Sequence, residues 1–68
     1  MTTMYELRQF LQKHGAFIYT GDRAGDLELF EMELRQLYDW DMIDIKTLQQ
    51  GLLILRKELN ELQKIKND

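Results

Sequence analysis

Ile45, Leu48, Leu52, Leu55, Leu59 and Leu62 recur at alternating spacings of three and four along the last third of the chain. That rhythm is a heptad seam, an apolar stripe down one side of a helix, and it needs a complementary surface to lie against. Only a small core is available to provide one, because the chain has 68 residues. It has no cysteine, which excludes a disulfide staple and a cysteine-ligated metal. Twelve leucines, five isoleucines and three phenylalanines supply the packing material instead. Valine and proline are absent, while Leu, Glu, Gln, Lys and Arg dominate. This set favours helix and lacks the β-branched and aromatic runs of strands, so the fold class is all-α.

Two further segments supply the surface. Thr3 with Glu6 three residues later forms the capping box Thr-x-x-Glu. Met4, Leu7, Phe10, Leu11 and His14 then share one helical face, and Gly15 suits the left-handed residue that ends such a helix. In the second segment Leu27, Phe30, Leu34, Leu37 and Tyr38 form the stripe, with Arg23 one turn before Leu27. Either Thr20 or Asp22 can cap its start, and the acidic Asp39 and Asp41 place its end between Tyr38 and Trp40. Glu31 and Arg35 form an i,i+4 pair. Asp44 caps the third helix, with Ile43 and Leu48 spaced for a hydrophobic staple. The tail Lys66-Asn67-Asp68 is expected to fray. The expectation is one domain over residues 1–68, a three-helix bundle with helices at 3–14, 21–39 and 45–65 and the longest helix last.

Apolar runs such as residues 52–55 are far shorter than the ~20 residues of a membrane span. The N-terminus lacks a basic region followed by an apolar stretch, so a cytoplasmic location is expected. A catalytic role is not expected. His14 is the only histidine and lies on an apolar face at a helix end, where it packs or answers the helix dipole. Serine and cysteine are absent, and four threonines without a nearby base make no triad. No spacing suggests a carboxylate metal loop, and no cofactor is expected.

The connection Phe17-Ile18-Tyr19-Thr20-Gly21-Asp22-Arg23 is unusual, since inter-helix loops are ordinarily polar. Phe17 and Ile18 are expected to pack into the bundle, and Tyr19 divides evenly between core and surface. Trp40 is expected to seal one end. The Thr20–Arg23 turn admits two readings. One is an anion site at a helix N-terminus; the other is a plain cap with Arg23 pairing to Asp26 or a neighbouring carboxylate. Binding of single-stranded nucleic acid uses aromatic faces for bases and cations for the backbone. Arg8, Tyr19, Arg23 and Arg56 are the candidates, with Arg8 and Arg56 rimming a groove between helices. The net charge of −3 argues against strong non-specific binding, although a local basic face can coexist with it. Leu29, Met32, Leu53 and Ile54 lie off the apolar stripes. They either form a homodimer or partner contact or fill gaps between the helices.

The connection motif resembles the YqgQ family of small cytosolic proteins of Gram-positive bacteria. The resemblance continues through Asp26-Leu27-Glu28, Glu33-Leu34-Arg35, Leu37-Tyr38 and Leu53-Ile54-Leu55-Arg56, and so spans essentially the whole chain. It implies a three-helix bundle and a role in binding single-stranded nucleic acid. Tyr19 and Arg23 match the family motif by position.

Overall fold

The computed structural model describes residues 1–66, which form three helices: α1 (Met4–Lys13), α2 (Arg23–Asp39) and α3 (Ile45–Lys66). No strand occurs among the described residues. The all-α, three-helix architecture expected from the sequence is the one observed. Lys66, expected to fray, is instead the last residue of α3; the fraying expected of Asn67 and Asp68 lies outside the described residues.

Each helix begins on a side-chain oxygen. Thr3 accepts the Glu6 N–H at 3.2 Å while Glu6 accepts the Thr3 N–H at 3.1 Å, completing the capping box. Of the two candidates for α2, the cap is Asp22, whose Oδ2 accepts the Gly25 N–H at 3.2 Å. Asp44 Oδ1 accepts the Thr47 N–H at 2.8 Å at the start of α3. The first two helices also end alike. After α1, Gly15 and Ala16 donate to Gln12 and Leu11 carbonyls; after α2, Asp41 and Met42 donate to those of Tyr38 and Leu37. Both are Schellman turns, with Gly15 (φ 88°) and Asp41 (φ 59°) at the left-handed position. Aspartate tolerates that conformation better than most side chains, which is how α2 stops without a glycine.

The helices close around Leu7, Leu11, Leu27, Phe30, Leu34, Leu37, Leu48, Ile54 and Leu55. α2 and α3 run antiparallel: Arg23 at the start of α2 meets Glu58 late in α3, and Leu34 faces Gly51. Gly51 has no Cβ, so α2 comes in directly over it. This close approach rotates α3 relative to the leucine seam. Leu48 and Leu55 are buried as expected, but the flank that joins them is Gly51 and Ile54, while Ile45 and Leu59 on the other flank are substantially exposed. Ile54, read from sequence as an off-stripe residue, is therefore core. Trp40 does not seal the bundle end: it follows α2 as its C-cap and is 63% exposed. His14 does pack, its ring 4.8 Å from that of Phe10. No helix among the described residues is long and apolar enough to cross a membrane.

Candidate functional site

The α1–α2 connection is extended from Ala16 to Thr20, and its burial alternates. Ala16 is buried and Ile18 packs against the core, while Phe17 and Tyr19 point outward, 76% and 82% exposed. Successive side chains of an extended backbone face opposite ways, so one anchored set leaves the other displayed. The expectation that Phe17 packs inside is wrong for this reason. Ala16 and Ile18 hold the crossing, and two aromatic residues stand on its outer side.

Thr20 fixes the end of this segment. Its N–H donates to Asp26 Oδ1 at 2.8 Å and its hydroxyl donates to the same oxygen at 2.7 Å. Asp26 is 5% exposed, the one buried charged residue among those described. The Thr20 hydroxyl, then its N–H, hold the Asp26 carboxyl below the usual aspartate range against the opposing effect of burial. The positive charges of Arg8 and Arg23 act in the same direction. Two carboxylates thus occupy the donors at this corner, Asp22 on the helix N-terminus and Asp26 on Thr20. That arrangement is the cap reading of the turn.

Arg23 does not pair with Asp26 directly. Its Nη2 lies 2.7 Å from Glu58 Oε2 on α3, tying the start of α2 to the far half of the last helix. Arg8, on α1, is half-buried with its guanidinium carbon 5.7 Å from the Phe30 ring centroid, a cation–π geometry. Arg8, Tyr19 and Arg23 are thereby gathered around the Thr20–Asp26 contact. Arg56 is elsewhere. It lines a groove made by α2 and α3 with Leu27, Glu28, Glu31, Leu52 and Leu59, to which none of the other three contributes.

The four apolar residues read as a partner face also separate. Leu29 and Met32 line a depression with Ile18 and Trp40, Leu53 lies beside Gln49, Leu52 and Arg56, and Ile54 is buried. Two contributors escape sequence reasoning altogether. Asp26 reads as an ordinary first-turn acid, and Glu58 stands 35 residues from its arginine. No local signal marks either pairing.

The profile of the YqgQ-like family matches residues 1–61. The curated protein "Uncharacterized protein YqgQ" of Bacillus subtilis (strain 168) is 36% identical over 61 residues, covering 90% of this chain and 86% of that protein. This chain belongs to the YqgQ-like family.

Proposed function

We propose that the α1–α2 connection is a weak, sequence-tolerant surface for single-stranded nucleic acid. Phe17 and Tyr19 offer faces for bases, and Arg8 and Arg23 attract the backbone. The observation that carries this reading is the pair of outward aromatic residues on a connection pinned by Ala16 and Ile18 on its inner side and by the Thr20–Asp26 contact at its end. Aromatic rings held at the surface spend little conformational entropy when a base stacks on them. Arg23 is engaged by Glu58, so a phosphate must compete with that carboxylate. With a net charge of −3, the affinity is low and falls steeply with salt.

Anisotropy of a labelled single-stranded oligonucleotide, titrated at low and moderate salt, tests the proposal. Binding at low salt should weaken as salt rises, and Tyr19→Ala or Phe17→Ala should each lower affinity roughly ten-fold, the range of one base–aromatic stack. Absence of binding at low salt overturns the reading. Binding that survives both substitutions puts the ligand elsewhere on the molecule. A second reading, an interaction module working through apolar helix faces, is favoured by the groove that holds Arg56.

A further inference from the structure

The groove between α2 and α3 has an apolar floor and charged walls: Glu28 and the Glu31–Arg35 ion pair on α2, and Arg56 on α3. Leu27 contributes from α2, and Leu52, Leu55 and Leu59 from α3, around a volume of about 290 Å³. Glu28 stands on the α2 wall and Arg56 on the α3 wall, both exposed. Among the described residues the ion pairs are Arg23–Glu58 and Arg35–Glu31, so Glu28 and Arg56 have no ionic partner. α1 contributes nothing to the groove.

Two further facts bear on what covers it. The rotation of α3 over Gly51 leaves Leu59 exposed and Leu52 only partly packed against the core, both on the groove side and spaced as a coiled-coil row. Moreover α1, at 10 residues, reaches about 15 Å, while α3, at 22 residues, reaches about 33 Å, so α1 cannot serve the whole seam. A stable pair of subunits buries roughly 800 Å² on each. That is about a sixth of the 5141 Å² surface of this chain.

We infer that the groove is occupied by a second copy of this chain, giving a four-helix arrangement in which each α2 lies along the partner's α3. The register follows from the contacts within one chain. Arg23 meets Glu58 and Leu34 faces Gly51, so Glu28 stands level with the turn of α3 that holds Leu55 and Arg56. A two-fold axis parallel to the helices keeps residues at their own level. It therefore brings each Glu28 to the partner's Arg56, twice by symmetry, and sets the leucine row of each α3 beside the partner's α2. All neighbouring helices are then antiparallel, the favourable sense for their dipoles. This inference does not rest on nucleic-acid binding, because the aromatic connection is on a different part of the molecule.

The test is a charge exchange between chains, read as mass in solution by light scattering or sedimentation. The unaltered protein should show twice its 8.2 kDa chain mass at high concentration and dissociate on dilution. Glu28→Arg and Arg56→Glu should each weaken the dimer roughly ten-fold or more, by setting like charges opposite one another. Mixing the two variants in equal amounts should restore the doubled mass, because only the mixed pair has opposite charges at both contacts. Circular dichroism checks that each variant keeps its helices. A monomer at every concentration up to about 1 mM overturns the inference. So do single variants that dimerise normally, and so does a mixture that stays monomeric, since charges pairing within one chain cannot be rescued by mixing.

Discussion

A methyl group added at Gly51 would stand 2.5 Å from Leu34 Cδ1, and Leu34 is completely buried. Two effects of a Gly51→Ala change oppose each other. Alanine favours helix over glycine by about 1 kcal/mol, whereas forcing volume into a packed core costs about 1–3 kcal/mol. Leu34 can yield only by displacing its core neighbours, because it is completely buried in a close-packed interior, so the clash outweighs the helix gain. Gly51→Ala should lower stability by about 1 kcal/mol in a denaturant titration, the difference of those two terms. Glycine also explains why the rotation of α3 was hidden in the sequence. A leucine row advertises an apolar face; a glycine that lets a neighbouring helix in advertises nothing. The seam therefore points correctly to Leu48 and Leu55, and in part to Leu52 and Leu62, which pack half-buried against the core, but it misses Gly51. Of the two readings left open for Ile54, the gap filler between helices is the one observed.

Helix ends were far more legible, because caps depend on residues within a few positions of each other. The box at Thr3 and Glu6, the Asp44 cap and the Gly15 terminus follow directly from local chemistry. The connection between α1 and α2 was not legible, since its in-and-out alternation and the Thr20–Asp26 contact need the helices already in place. That contact makes the element sensitive to acid. The Asp26 carboxyl is lowered by Thr20, Glu6 by Thr2 and Thr3, and Asp44 by Thr47. A carboxyl with a depressed folded pKa binds its proton more readily in the unfolded chain. The stabilisation is thus complete above about pH 5, where the unfolded carboxyls are also ionised, and is lost as pH falls through the folded values. Asp26→Asn removes one of the three contributions. Its thermal midpoint should lie below that of the unaltered chain at neutral pH, and the gap should narrow on going down to about pH 3. A gap of constant width would mean that Asp26 acts through its shape and not its charge.

At the scale of the whole molecule, 40 × 23 × 18 Å in extent, the aromatic connection and the α2–α3 groove make separable demands. Replacing Phe17 and Tyr19 together with serine should leave the thermal midpoint almost unchanged, within about 0.5 kcal/mol of stability, as for other exposed positions. Had Phe17 been a core residue, its loss alone would cost about 3–5 kcal/mol. Thermal melts of that double variant check the placement of the connection independently of any ligand.

The antiparallel pairing of α2 with α3 also bears on how the protein is made. Translation delivers α1 first, yet Leu7 and Leu11, its fully buried residues, pack only against helices that follow it. The short turn after Asp39 lets α2 and α3 close on each other with little loop entropy, while α1 must cross a longer connection. A ribosome that pauses before α3 has emerged therefore holds a chain with its first apolar stripe still exposed. Folding of the bundle waits for α3 to emerge.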